Sequence, residues 1–181
     1  MSAFGRYELH GRLGRGSLME TFRAKSYGVE GFEKTLVVKR LLPELGERAR
    51  LVERFVALSR NAFRLSHANV VQLVDLGHVA EEGAGGYYQA CEFVHGTDLR
   101  ALLARARGSA EPFPPALGVY VIAELAKALE HAHRRVDERM SSLDIVHGGV
   151  CPSNVLLSWE GEVKLSDFCV ALALDELPSE L

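Results

Sequence analysis

Apolar and polar positions alternate at the start of the chain: Tyr7, Leu9, Gly11 and Leu13 fall on one side, Glu8, His10 and Arg12 on the other. That period of two predicts a half-buried strand, and 21–26 and 35–41 read as a second and a third. From 47 to 65 the period changes. Leu51, Phe55, Leu58, Ala62 and Leu65 recur at helical spacing and predict a long helix with one apolar stripe. Segments 70–79 and 87–93 read as two further strands around a loop of glycines and acids at 81–86. A short helix is expected over 99–106, and 108–115, with three prolines, reads as a linker. The helix expected over 115–137 is apolar nearly all round, with Leu117, Val119, Val121, Ile122, Leu125, Ala126 and Leu129, and such a helix expects burial on more than one side. A hairpin of 155–158 and 162–165 closes the pattern. Strands come first and helices afterwards, an α+β order.

Composition narrows the function classes. The chain has 181 residues, 48% hydrophobic and 25% charged, with a net charge of −3, which fits a folded globular protein rather than a disordered or fibrous one. Lys and Arg are interspersed with acids, so no nucleic-acid footprint is expected. No apolar run approaches the ~20 residues that span a bilayer, and 1–7 has no signal-peptide core. No membrane and a cytoplasmic location are the expectations. Cys91, Cys151 and Cys169 are too widely spread for a metal clip or a disulfide framework, and reduced thiols are expected. His131 and His133 stand two residues apart, on different faces of a helix, which favours structural roles over a metal pair.

The chemistry-bearing stretch is Ile145 to Cys169, I-V-H-G-G-V-C-P-S-N-V-L-L-S-W-E-G-E-V-K-L-S-D-F-C. It resembles the catalytic loop and D-F-G segment of protein kinases, and most closely the Ser/Thr kinases of bacteria. In that family H-R-D-x-x-x-x-N supplies a base Asp and a metal-binding Asn, and D-F-G supplies the Asp that holds Mg²⁺. His147, Asn154, Asp167 and Phe168 stand at the family's positions. Gly148 and Gly149 replace the Arg and the base Asp, Cys151 a common Lys, and Cys169 the D-F-G glycine.

Other landmarks follow in order. Leu13-Gly14-Arg15-Gly16 resembles the start of the G-x-G-x-x-G phosphate loop, with Met19 in place of the third glycine and Thr21 where a Val usually roofs the adenine; a simple tight turn is the competing reading. Lys39, in Leu36-Val37-Val38-Lys39, matches the phosphate-contacting Lys of V-A-I-K, against the reading of a Lys on an exposed edge of a strand. Counting back from His67-Ala68-Asn69-Val70-Val71 puts the helical Glu that should pair with Lys39 at Leu58. Glu53 lies roughly 140° away around the helix and is a poor substitute. Cys91 to Leu99 resembles the interlobe hinge.

The resemblance implies a protein-kinase-like fold: a five-stranded antiparallel N-lobe with one long helix over 1–94, and an incomplete helical C-lobe over 95–181 ending just after the D-F-G position. It implies nucleotide contacts from Leu13, Gly14, Gly16, Val37, Lys39, Glu92, Val94, Asp98 and Leu156, with Asp98 also a candidate helix N-cap, and metal contacts from Asn154 and Asp167. ATP and Mg²⁺ are the cofactors to test. With Gly149 in the base position no catalytic residue is assigned. Two functions stay open: a pseudokinase acting as a signalling or interaction module, and a kinase or other ATP-dependent transferase with residual activity. The outward face of helix 115–137 is expected to bind a protein partner or a second copy, with 171–181 poorly ordered until it does. The three cysteines, around one cleft by the resemblance, read either as a redox group or as small buried apolar residues.

Overall fold

Pleated alternation starting at Tyr7 does build a strand, but it is not the first one. In the computed structural model, which describes residues 2–80, 85–108 and 113–176, the chain forms two compact units, one from 2–63, 73–93 and 173–176 and one from 64–72 and 94–172.

The first unit is a six-stranded antiparallel sheet: β1 (Ser2–Phe4), β2 (Tyr7–Arg15), β3 (Met19–Tyr27), β4 (Glu33–Leu41), β5 (Leu73–Val79) and β6 (Gly86–Glu92), in the order β1-β2-β3-β4-β6-β5. Five strands were expected. The sixth, β1, is too short to show a period, and it folds back on β2 through Gly5, whose φ of 54° suits glycine. Phe4, 1% exposed, anchors it. One sheet face buries Phe4, Tyr7, Leu9, Ala24, Leu36, Val38, Tyr88 and Ala90. There the hydroxyls of Tyr7 and Tyr88 both donate to Asp75 Oδ2 at 2.7 Å, and Arg6 Nη2 pairs with the same oxygen at 2.7 Å.

A short helix α1 (Pro43–Gly46) precedes α2 (Ala49–Phe63). The buried stripe of α2 is Leu51, Val52, Phe55 and Ser59, while Leu58 and Ala62 are only half-buried. The expected stripe is thus turned by about one residue. Gln89 on β6 faces the side opposite Tyr88 and Ala90, and its Nε2 donates to Ser59 Oγ at 2.6 Å, so a buried polar pair seats the helix there.

In the second unit β7 (Gly96–Asp98), β8 (Val155–Ser158) and β9 (Val163–Leu165) form an antiparallel sheet with α3 (Leu99–Arg107) and α4 (Pro115–His133). A Cβ on Gly96 would lie 1.8 Å from Leu157 O, so only glycine lets β7 approach β8 this closely. Val70 was expected to start the strand that became β5. Val70 instead bridges Leu165, and Val71 N donates to Leu165 O at 3.0 Å, which removes 70–72 to the second unit. Helix α4 ends at His133 rather than 137, because Asp137 N and Leu143 N donate into a turn closed by a Val136–Ser142 bridge. It buries Val121, Ala128 and Ala132 but leaves Val119 and Ile122 each 68% exposed. The tail, expected to be poorly ordered from 171, forms a 3₁₀ turn over Val170–Glu176. Residues 177–181, the loop tip 81–84 and the linker core 109–112 lie outside the described residues. Among the described residues no helix is long and apolar enough to cross a membrane.

Candidate functional site

The second unit assembles the loop 145–154 around two buried anchors, Ile145 and His147, each 2% exposed. Gly149 N donates to His147 Nδ1 at 3.1 Å, so Nε2 carries the ring proton and donates to Ser166 O at 2.8 Å. The ring also packs on Phe168 at 4.7 Å between centroids. Asn154 Nδ2 donates to Gly149 O at 2.9 Å, while Asn154 O accepts from Ser166 N at 2.8 Å and from Ser166 Oγ at 3.2 Å. Ser166 Oγ lies 3.5 Å from Asp167 Oδ2. These hydrogen bonds bring His147, Gly149, Asn154 and Asp167 into one arrangement, although no carboxylate stands at residue 149.

Asp167 and Cys169 both have left-handed backbones, with φ of 64° and 65°. That conformation costs a non-glycine residue about 1–2 kcal/mol. At Cys169 burial offsets it: the residue is 2% exposed, its N donates to His147 O at 3.1 Å and its Sγ to Val146 O at 3.3 Å. Burial pushes its thiol up to about 11. Cys91 is buried too, but Cys151 is exposed, which corrects the reading of all three as buried apolar groups; all are free thiols.

A Mg²⁺ ion takes hard oxygen donors. Asn154 fits such an ion, because its Nδ2 is engaged by Gly149 O and its Oδ1 is the remaining atom; the Asp167 carboxylate would be the second donor. Among the described residues no group of three or more His, Cys, Asp or Glu is gathered so as to hold a metal ion. Asp98 and Leu156 are Cα partners across β7 and β8. Asp98 Oδ1 accepts from Ala101 N at 2.8 Å, realising the N-cap of α3, and Val94 and Leu156 are half-buried.

The first unit carries the rest. Lys39 lies on β4 between β3 and β6, opposite Thr21 and Gln89, and is 8% exposed. The reading of Lys39 on an exposed edge is thereby excluded. Val37 shares its face, and Glu92 pairs with Leu36. At the helix position where a carboxylate was expected stands half-buried Leu58, and Glu53 points outward, as its angle required.

Gly14 pairs with Thr21, and Gly16 N donates to Met19 O at 2.9 Å, making a tight turn. A Cβ on Gly14 would meet nothing within 4 Å, so the chain's own packing does not demand glycine there. Leu13 is 56% exposed, whereas Leu18 and Met19 are buried. Sequence reasoning missed Glu20, 6% exposed, which Arg40 (3.0 Å), Arg12 and Arg15 (3.3 Å each) surround; Arg15 also reaches Glu44 at 2.8 Å. The Arg40 hydrogen bond above all holds the Glu20 carboxyl below its ordinary range. The sequence reading gave it no signal, because the strand was read from 21 and the structure starts β3 at Met19. The Ser59–Gln89 pair was likewise missed, since a Ser on a helix stripe carries no partner information.

A family model described as protein tyrosine and serine/threonine kinase matches residues 7–179. The tyrosine-protein kinase MasK of Myxococcus xanthus is 34% identical over 98% of this chain and 27% of its own length. The serine/threonine-protein kinase PknB of Mycobacterium leprae is 30% identical over 96% of this chain and 26% of its own length. The chain thus spans about a quarter of these relatives. The crystal structure of the PknI kinase domain of Mycobacterium tuberculosis superposes with a TM-score of 0.73 at 23% identity, over 94% of this chain and 62% of that one, which supports the fold alone. With its H-x-x-x-x-x-x-N and D-F segments joined through His147, Asn154 and Ser166, the chain belongs to the protein tyrosine and serine/threonine kinase family, among its bacterial eukaryotic-like members.

Proposed function

We propose that this chain is a pseudokinase module: it binds ATP with Mg²⁺ weakly and acts through protein contacts rather than phosphoryl transfer. The observation that carries the reading is Gly149. The loop around it is hydrogen-bonded on both sides, yet the position that accepts a substrate hydroxyl's proton has no side chain. Loss of such a general base alone costs about 10²- to 10⁴-fold in rate. Leu58 compounds it, because no carboxylate stands at the α2 position that would orient Lys39.

Asn154 and Asp167 would hold Mg²⁺, which neutralises phosphate charge when bound, and Lys39 would meet the phosphates. In the first unit Leu13 and Val37 would give apolar surface to an adenine, the Glu92 backbone an edge contact, and Gly14 and Gly16 an open loop; in the second unit Leu156 would give apolar surface, the Val94 backbone an edge contact and Asp98 a ribose contact. Millimolar ATP with Mg²⁺ is expected to raise the melting temperature of the chain and not that of Asp167→Ala. Labelled ATP is expected to leave no more label on the chain or on a generic protein substrate than it does with Asp167→Ala. Transfer above that control would favour the second reading, a residual or different nucleotide-transfer enzyme, which the burial of Lys39 in an interior strand supports.

The interaction surface in this reading is the outward stripe of α4. Ala116, Val119, Ile122, Ala123 and Ala126 are exposed and uncharged, so a second copy can meet it without opposing like charges.

A further inference from the structure

Gly148 and Gly149 lie beneath the turn that follows Asp167. A Cβ on Gly149 would stand 2.9 Å from the Cβ of Ala171; one on Gly148, where φ is +78°, would stand 2.7 Å from Cγ and Cδ2 of Leu172. Carbon atoms pack at roughly 3.5–4 Å, so a methyl at 149 cannot fit while Ala171 stays in place, and one at 148 would push the Leu172 side chain aside on an already strained backbone. The turn is fastened by its backbone as well. Cys169 N donates to His147 O at 3.1 Å, Val170 N to Asp167 O at 3.3 Å and Leu172 N to Cys169 O at 3.2 Å, with Cys169 Sγ on Val146 O. Gly161 offers the contrast: its φ is +90° but nothing lies within 4 Å of its Cβ position, so backbone conformation alone accounts for it.

We propose that Ala171 and Leu172 are the chain's own occupant of the base position, interlocked with Gly148 and Gly149 so that a hydroxyl-bearing substrate is shut out. This rests on the proposed function only in taking residue 149 as the base position. The glycine pair and the turn are one packing unit. Restoring a carboxylate at 149 would expel the turn before it could supply a base.

Gly149 tests this cleanly, because its backbone is outside the left-handed region and a methyl there meets only Ala171. Gly149→Ala is expected to lower the melting temperature of the full chain by about 3–6 °C, Ala171→Gly to change it little, and the double variant to recover most of the loss. Iodoacetamide labelling read by mass spectrometry gives a second measure. Exposed Cys151 should label in every variant and buried Cys91 in none, while Cys169, protected in the unaltered chain, should label about tenfold faster in Gly149→Ala and return to protection in the double variant. Unchanged melting and Cys169 labelling in Gly149→Ala, failure of Ala171→Gly to rescue, or Cys91 labelling rising in step with Cys169 would each overturn the interlock. Phosphate transfer by the unaltered chain would end the non-catalytic reading instead, and would leave these packing measurements standing.

Discussion

Leu58 and Ser59 are adjacent on α2 with different surroundings, and the difference sets what each substitution should do. Leu58 is half-buried, so Leu58→Glu removes part of an apolar contact and brings a carboxylate toward the sheet, an expected loss of about 1 kcal/mol in urea unfolding with no gain of phosphotransfer. Ser59 is 2% exposed and accepts from Gln89, itself 3% exposed. Ser59→Ala strands the Gln89 amide without that acceptor, and the expected loss is larger, about 1–3 kcal/mol. If Leu58→Glu proved the costlier of the two, or gained activity, α2 would have to be turned the other way. Cys169 shows the same lesson. A non-glycine residue holds a left-handed backbone there because its side chain is buried and bonded.

β5 pairs with β6 along its length, and Asp75 on it also accepts from Tyr7 and Tyr88, a link expected to make the first unit acid-sensitive. Burial is the largest influence on Asp75 and pushes its carboxyl up, but the hydrogen bonds from Tyr7 and Tyr88 and the Arg6 charge together outweigh it, and the net shift is below the ordinary 3.8. The reciprocal effect, burial first and then the bond to Asp75, pushes Tyr88 up to about 12. A depressed carboxyl binds fewer protons folded than unfolded, so its stabilisation is present above the ordinary value and is lost as pH falls through the lower folded value. Glu20 shifts in the same direction. Urea unfolding from about pH 7 to about pH 3 should show stability falling on the acid side, and Asp75→Asn should be less stable at neutral pH with a shallower acid limb. An unchanged acid limb would remove Asp75 from the account.

At the scale of the whole molecule, α4 leaves apolar surface uncovered at Val119 and Ile122. Light scattering over a range of concentrations should show reversible self-association, and Ile122→Glu with Val119→Glu, both at exposed positions, should abolish it without lowering the melting temperature. A monodisperse monomer at all concentrations, with no binding of a hydrophobe-sensing dye, would sink the second copy as the occupant.

Period and motif order were enough to read the strands from Tyr7, the long helix, and where Lys39, Asn154, Gly149 and Asp167 fall along the elements, because each depends on neighbours within a few residues or on a fixed spacing. The same local rules saw a strand starting at Val70 and a stripe through Leu58. Contacts far along the chain decided otherwise: Leu165 draws 70–72 into the second unit, and Gln89 turns Ser59 inward. β1 is too short to have a period at all, and its pairing depends on where Phe4 can be buried. Glu20's three arginines and the meeting of Gly149 with Ala171 depend on side chains brought together by folding. Sequence alone determined which groups this chain has and which it lacks. Tertiary packing decided that the missing side chains at 148 and 149 are filled space, since a glycine in a sequence records an absence and only its neighbours show what occupies it.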